Sequence, residues 1–365
     1  MKSIYLDNGS TTQTYKKVAK VMDDVMIKNY GNPSSNHSLG RESRELINKA
    51  RIELAKEINA RPWEITFTSG ATESINLALS GLQVKKIIIS AIEHSAVYET
   101  VMNLKKKGIE VKEISVNEKG FLDLEELEKE IDNNVLVSII HGQNEFGVLQ
   151  DLEKIGEICK KKKTIFHVDA AQTFGKEKID VISMKIDLLS ASAHKIHGPK
   201  GIGLLFVRSG LNLRPLIIGS GQEKGLRSGT ENVPGILGFS KALELYHKVD
   251  KSKIKKLRDY FILELEEIGG KINGSMEKRL YNNINVILPI DSESLVSYLS
   301  ERGIMCSTRS ACSEKQGENR ALKALGLTKK EIKGSFRLSL SEFNNTKEVD
   351  KTIGEIKKGR DIQKQ

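Results

Sequence analysis

Short, nearly continuous apolar runs alternate with longer helical patterns along much of this chain, and this alternation restricts it to few folds. Strands that read as continuous apolar runs are covered on both faces, as they are in parallel sheets. Helical stretches such as 71–82 and 151–163 separate several of the runs, which favours a mostly parallel sheet flanked by helices. The predicted strands are ITFTSG (65–70), KKIIIS (85–90), VLVSII (135–140), TIFHVDA (164–170), DLLSAS (187–192) and GIGLLFV (201–207).

The pattern changes after Pro234. Residues 235–268 predict a helix with a charged stretch in its middle, and the remaining chain predicts a smaller α/β domain. We place the domain boundary near residue 250, on a long connecting helix. The expected division is a large domain at 15–250 and a small domain formed by 1–14 and 251–365. The later elements are predicted as a strand at 283–289, a helix at 292–303 and a strand at 334–341.

Composition excludes several classes of protein. The 365 residues are 38% hydrophobic, which suits two or three domains' worth of globular protein with a sizeable core. The sequence contains no run of 18 or more apolar residues, so it predicts no membrane span. Its N-terminus lacks a signal-peptide pattern, and we therefore expect a cytoplasmic protein. Three widely spaced cysteines predict neither a disulfide framework nor a metal site.

The net charge of +10 favours a solvated, lysine-rich surface over a nucleic-acid face. The basic residues are spread along helical segments, such as 160–163 and 253–256, and no aromatic side chains are interleaved with them. An acidic partner or a transient tRNA contact stays open as an alternative.

Four polar segments stand where a parallel sheet would bind a ligand. Residues 68–72 (TSGAT) run from a strand into a helix, and backbone N–H groups there suit a phosphate, although an ordinary helix cap explains them equally well. Asp169, within HVDAAQ (167–172), ends an apolar strand, where its carboxylate could keep a pyridine nitrogen protonated. The alternative for Asp169 is a helix N-cap.

The other two segments follow later strands. Lys195, within SAHKIHGPKG (192–201), comes directly after an apolar strand and before a Gly/Pro turn, which suits a Schiff-base lysine better than a surface charge. The alternative is a solvated loop lysine. Residues 219–230 combine glycines, Arg227 and hydroxyls, which suit either an anion-binding loop or a flexible surface loop.

Taken in this order, the segments resemble the cysteine desulfurases of the class V aminotransferase family, which are fold type I pyridoxal-phosphate (PLP) enzymes. The resemblance covers nearly the whole chain. Further motifs that carry it are YLDN (5–8), GNPSS with His37 (31–37), EHSA (93–96), NEFG (144–147), SAC (310–312) and SFRLSL (335–340).

The resemblance implies a homodimer and a role for each matching residue. Lys195 would bind the cofactor as a Schiff base, Asp169 would pair with the ring nitrogen, and His94 would stack on the ring and move protons. Asn144 and Gln172 would approach the ring hydroxyl, and Arg337 would bind the substrate carboxylate. The phosphate would be held by Ala71, Thr72, Ser192 and His194, with Thr230 reaching across from a second subunit. Asn32, His37 and Gln222 are expected to line the site without assigned roles.

Cys312 is the predicted sulfur acceptor. It lies in a polar segment, STRSACSEKQGENR (307–320), whereas Cys159 and Cys306 lie in apolar patterns and are expected to pack as small hydrophobes. A nucleophilic cysteine must be a thiolate, so nearby positive charge would help. Arg309 could supply that charge, or could simply face solvent.

The implied reaction converts L-cysteine to L-alanine and leaves a persulfide on Cys312. Its sulfur would pass to an iron–sulfur scaffold or a tRNA-thiolation protein. The rivals are a selenocysteine lyase, an aminotransferase, which needs no thiol, and a non-catalytic scaffold, which would not need Lys195.

The sequence departs from the family's usual pattern at Gly9-Ser10, at Arg309, in the segment after Cys312, and at Ser341-Glu342. We expect none of these changes to touch a residue required for PLP chemistry. The changes after Cys312 and in the C-terminal tail bear on which protein accepts the sulfur.

Overall fold

A seven-stranded sheet forms the centre of the protein in a computed structural model that describes residues 3–308 and 319–363. Its strand order is β2-β8-β7-β6-β5-β3-β4. Adjacent strands from β4 to β7 are all parallel, whereas β8 runs antiparallel to both of its neighbours. The sheet strands are β2 (Ile65–Thr68), β3 (Lys86–Ser90), β4 (Glu110–Ile114), β5 (Val135–Ile140), β6 (Ile165–Asp169), β7 (Leu188–Ser192) and β8 (Gly203–Val207).

Helices cover both faces of this sheet, and its central strands are therefore buried on both sides. One core cluster joins α2, α6 and α7 to one face, and a second joins α3 and α4 to the other. The helices up to the end of this domain are α1 (Lys16–Lys28), α2 (Ser38–Lys56), α3 (Ala71–Gly81), α4 (Ser95–Lys106), α5 (Leu124–Glu130), α6 (Leu152–Lys161) and α7 (Val233–Tyr246).

The C-terminal part of the chain has its own core, which includes Ile4 and Leu6 from the N-terminus. Strand β10 pairs antiparallel with β9 and β12, and β1 pairs in parallel with β11. The separate core supports the predicted division into a large domain at 15–250 and a small domain formed by 1–14 and 251–365. This division stays a proposal. The elements are β1 (Ile4–Tyr5), β9 (Lys271–Ile272), β10 (Asn283–Ile287), β11 (Ile304–Met305), β12 (Ser335–Ser339), α8 (Lys251–Glu267), α9 (Ser292–Glu301), α10 (Arg320–Ala324), α11 (Lys329–Lys333) and α12 (Thr346–Gln363).

The prediction of one long connecting helix is wrong. Helix α7 ends at Tyr246, and α8 begins at Lys251 after a break. The Asp250 side chain accepts hydrogen bonds from the backbone N–H groups of Ser252 and Lys253, so it caps a new helix. Strand β4 was not predicted from the sequence, because its residues EVKEI carry three charged side chains at an edge of the sheet. Within residues 3–308 and 319–363, no helix has the length and apolar character to cross a membrane.

Because parallel strands run in one direction, their carboxyl ends lie at the same edge of the sheet. Strands β7, β6, β5 and β3 lie side by side in the sheet in that order, and they run in the same direction. The chain segments that leave their carboxyl ends carry His94, Asn144, Asp169 and Lys195. The sheet therefore gathers these four residues on one side of the molecule.

Candidate active site

A cavity of about 470 Å³ lies at this edge of the sheet. Small-molecule sites in open α/β sheets lie at the carboxyl ends of the strands. The cavity also receives a side chain from outside the seven-stranded sheet, since Arg337 comes from β12. The predicted site residues that line it are Ala71, Thr72, His94, Asn144, Asp169, Gln172, Ser192, His194, Lys195 and Arg337.

Lys195 ends a short turn of 3-10 helix that follows β7. Its Nζ donates hydrogen bonds to the carbonyl oxygens of Gly9 at 2.7 Å and Ser10 at 2.8 Å. Burial lowers the pKa of Lys195 from 10.5 to about 7, and the charges of Arg337 and Lys176 act in the same direction. At neutral pH a large fraction of this lysine is therefore the neutral amine, which is the form that can act as a nucleophile or a base.

Asp169 is the last residue of β6 and is buried. Burial raises its pKa to about 6, although a hydrogen bond from the Ala171 N–H at 2.9 Å and the charge of Lys195 oppose the shift. The group is thus ionised above this pH and can stabilise a cation that approaches it within the cavity.

His94 caps the start of α4. Its Nδ1 accepts a hydrogen bond from the Ala96 N–H at 3.1 Å, so the proton of the neutral ring lies on Nε2. Burial, together with the charges of Lys195 and Arg337, lowers the pKa of His94 to about 4. The ring is therefore neutral at physiological pH and can accept a proton only transiently.

The start of α3 forms the opposite wall of the cavity. Gly70 precedes the helix and supplies no side-chain cap, so Ala71 and Thr72 present a helix N-terminus to the cavity. Such a terminus favours an anion. Glu73, one residue further along, accepts a hydrogen bond from the Ser69 N–H at 2.7 Å and pairs with Arg227 at 3.0 Å. This ion pair ties the loop 219–230 to the same helix start.

Arg337 faces the carbonyl oxygen of Asn144, to which its Nη1 donates at 2.9 Å. Its Nη2 donates to Asp7 Oδ1 at 2.7 Å and to the hydroxyl of Ser10. Its Nε is buried and has no hydrogen-bond partner among the described residues. Arg337 lines the cavity, and a guanidinium with an unsatisfied N–H suits a ligand with a carboxylate.

Gly9 and Ser10 are site residues that the sequence reasoning missed. Of these two changes, the one at Ser10 contacts a predicted site residue, because its hydroxyl accepts a hydrogen bond from Arg337. The contacts of Gly9 and Ser10 with Lys195 are made by backbone carbonyl oxygens, which any residue would supply. The change at Glu342 also lies near the site: its carboxylate accepts from Tyr15 and lies 3.4 Å from His197 Nε2, two residues from the lysine. The only feature of the local sequence that could have indicated a role for Gly9 and Ser10 is the run of small residues that follows Asp7.

Four expected site residues lie outside the cavity of one protomer. The expectation that Asn32 and His37 line it is wrong for the single chain, because both side chains cap nearby backbone N–H groups, those of Ser34 and Gly40. Gln222 is also outside, because its side chain accepts from the Gly229 N–H within its own loop. Thr230 is exposed to solvent in this chain.

The cysteines differ in their surroundings. Cys159 is buried in the core beneath the large sheet, and Cys306 packs against the core of the small domain. Burial raises the pKa of each thiol to about 12, which leaves almost no thiolate at neutral pH. Cys312 and Arg309 lie outside the described residues.

The lining residues fit pyridoxal phosphate. Asn144 Oδ1 is a buried acceptor without a hydrogen-bond partner among the described residues, as expected of a group that contacts a ligand hydroxyl. Gln172 borders the cavity beside it, and its Nε2 is held by the Gly9 carbonyl at 2.8 Å. Asp169 supplies a carboxylate, Lys195 an amine, and the start of α3 an anion site.

Residues 4–352 match the model of the aminotransferase class-V family. A relative from Archaeoglobus fulgidus, named cysteine desulfurase IscS 1, is 42% identical over 96% of this chain and 94% of its own length. The relative from Neisseria meningitidis serogroup A, named cysteine desulfurase IscS, is 42% identical over 95% of this chain and 89% of its own length.

Solved structures agree with these relatives. A NifS-like protein superposes with a TM-score of 0.93 at 39% identity, covering 99% of this chain and 100% of that one. A structure described as SspA in complex with cysteine has a TM-score of 0.85 at 34% identity, covering 93% of this chain and 99% of that one. The likeness therefore extends over nearly the whole chain.

Proposed function

This chain belongs to the aminotransferase class-V family, and we propose that it is a PLP-dependent cysteine desulfurase. The observation that carries the proposal is the meeting of Lys195, Asp169, His94 and Arg337 around one cavity. Relatives at about 42% identity over most of the chain bear the name cysteine desulfurase. The substrate is L-cysteine, the product is L-alanine, and the sulfur is retained by the enzyme.

Each residue has a task that its surroundings support. The start of α3, with Ser192 and His194, would hold the cofactor phosphate, and Asn144 and Gln172 would approach its hydroxyl. Asp169 would hold the proton on the ring nitrogen. Bound in this way, PLP supplies an aldehyde carbon and an electron-accepting ring.

Substrate binding and proton transfer fall to three other residues. Arg337 would bind the cysteine carboxylate and orient the Cα–H bond. Lys195, whose pKa of about 7 leaves it partly neutral, would hold the cofactor and then remove the Cα proton. His94, neutral and with its proton on Nε2, would exchange a proton with the substrate.

Cys312 would accept the sulfur. The backbone of Ser307 pairs with that of Arg337, and on the far side of the undescribed segment the Asn319 side chain bonds to Glu145, which is next to Asn144. Both ends of the segment therefore start beside the cavity. We therefore propose Cys312, which the resemblance to cysteine desulfurases also implies, as the sulfur acceptor.

The chemistry of the transfer needs no outside oxidant. The Cys312 thiolate would attack the substrate sulfur, the S–S bond would form as the C–S bond breaks, and the electron pair of that bond would remain on the substrate carbon. The persulfide would then pass to an iron–sulfur scaffold or a tRNA-thiolation protein. A cytoplasmic location stays a prediction from the sequence.

We also propose that the enzyme is a homodimer. Ile218 is 84% exposed, and Leu216 and Ile217 beside it are exposed as well, which is unusual for three consecutive large apolar residues. They precede the loop that carries Thr230. A second copy packed on this surface would cover them and bring Thr230 towards the partner's phosphate site.

Three single variants test the function: Cys312→Ala, and as matched controls Cys306→Ala and Cys159→Ala. Cys312→Ala should retain PLP and bind cysteine but lose alanine release by several orders of magnitude, because no nucleophile accepts the sulfur. The control variants should keep turnover, with a modest loss of stability from small cavities. Alanine release and persulfide labelling are measured together. Wild-type alanine release by Cys312→Ala, or a persulfide on Cys306, would contradict the mechanism.

A further inference from the structure

The hydroxyl of Ser10 contacts both members of the ion pair between the buried Arg337 and the partly buried Asp7. Its Oγ donates to Asp7 Oδ1 at 2.9 Å and accepts a hydrogen bond from Arg337 Nη2. Ser10 and Arg337 both line the cavity, so the hydroxyl contacts the guanidinium beside the space that a ligand would occupy. The hydroxyl has a single hydrogen, which it gives to Asp7, and so it offers only lone pairs to an incoming anion.

The hydrogen-bond donors of Arg337 are unequally used. Nη2 has two acceptors, Asp7 and Ser10, for its two N–H groups, while Nη1 donates to the Asn144 carbonyl. Nε–H is buried and has no partner in the described part of the chain. A carboxylate binds a guanidinium best through two parallel hydrogen bonds from one edge. The edge formed by Nε and Nη2 has one free donor and one that is taken.

We propose that Ser10 sets the affinity of the site for its substrate carboxylate, by competing with that carboxylate for Nη2 of Arg337. The inference rests on the proposed function, in which Arg337 binds the substrate carboxylate. The carboxylate binds at the edge formed by Nε and Nη2, satisfies the buried Nε–H, and displaces the Ser10 hydroxyl from Nη2. Asp7 keeps its own hydrogen bond to Arg337 and holds the guanidinium in place.

Displacing the hydroxyl weakens substrate binding by the net value of about one hydrogen bond. The cost applies to every ligand that has a carboxylate at this position and to no ligand that lacks one. Ser10 therefore acts on substrate affinity and not on the bond-breaking steps, which Lys195, His94 and Cys312 carry.

The test compares Ser10→Ala with the wild type and with Ser294→Ala, a control on an exposed face of α9. The Kd of the PLP-loaded enzyme for L-alanine, the reaction product, is measured by calorimetric titration. Removing the hydroxyl frees Nη2, so Ser10→Ala should bind L-alanine roughly threefold to tenfold more tightly, the range expected for one net hydrogen bond. The control should match the wild type. Turnover with L-cysteine should show a lower KM at an unchanged kcat.

A second ligand separates the carboxylate effect from a general change in the cavity. 2-Aminoethanethiol is cysteine without its carboxylate, and its affinity should be the same for Ser10→Ala and the wild type. Equal L-alanine affinities in Ser10→Ala and the wild type, alongside a large loss in Arg337→Ala, would overturn the role of Ser10 and leave the proposed function standing. An unchanged L-alanine affinity in Arg337→Ala would instead overturn the carboxylate site, and the role of Ser10 with it.

Discussion

Glu223 anchors the loop that carries Arg227 and Thr230, and its removal should destabilise the protein strongly. Its carboxylate binds Arg51 through two hydrogen bonds, at 2.6 and 2.7 Å, and also accepts from the Phe67 N–H at 2.8 Å. The two side chains are 13% and 4% exposed, for Arg51 and Glu223 respectively, so the pair is buried. Glu223→Ala leaves the Arg51 charge without its counter-ion in a site that water reaches poorly.

The magnitude follows from this burial. Removing one partner of a buried ion pair costs about 3–5 kcal/mol, because the remaining charge is unpaired, whereas an exposed pair contributes about 0–1 kcal/mol. Since whole proteins are typically stable by about 5–15 kcal/mol, Glu223→Ala removes a large part of the free energy of unfolding. Part of that loss should return in the double variant Arg51→Met with Glu223→Leu, which leaves no buried charge unpaired.

The assay is urea unfolding at one protein concentration with PLP in excess, because bound cofactor and association both raise apparent stability. The matched control is Glu244→Ala, which breaks the exposed contacts of Glu244 with Lys241 and Lys248. A loss below 1 kcal/mol for Glu223→Ala, equal to that of the control, would refute the reasoning. A double variant as unstable as the single one would show that the unpaired arginine is not the cause.

Three further predictions concern the cofactor site and the assembly. Borohydride should fix PLP to Lys195 in the wild type and not in Lys195→Ala, and peptide mapping that places the adduct elsewhere would contradict the assignment. Because burial lowers the pKa of Lys195 to about 7, the rate at which cofactor-free protein captures PLP should rise as pH increases through about 7 and then level off. A rate that continued to rise towards pH 10 would indicate an ordinary lysine. Sedimentation should show a dimer, and a stable, active, PLP-loaded monomer would exclude the proposed role of Thr230.

Much of the large domain could be predicted from the sequence because its strands are short, apolar and buried on both faces. The predicted strand at 135–140 coincides with β5, and the other five predicted strands differ from the observed ones by one or two residues at either end. The prediction missed β4, which lies at the edge of the sheet and has three charged residues among its five. The reversed direction of β8 was likewise hidden, since an apolar run does not reveal which way a strand points.

The sequence by itself predicted which residues carry the chemistry. Lys195 and His94 each follow a buried strand and Asp169 ends one, and parallel strands that end at one edge bring such residues together. Only the tertiary structure decided how those residues are held. The carbonyl oxygens of Gly9 and Ser10 contact Lys195, which is 186 and 185 positions away in the sequence. Strand β12 brings Arg337 to the hydroxyl of Ser10. The pKa values near 7, 6 and 4 for Lys195, Asp169 and His94 arise from burial and neighbouring charge, which depend on the distances between residues that only folding brings together.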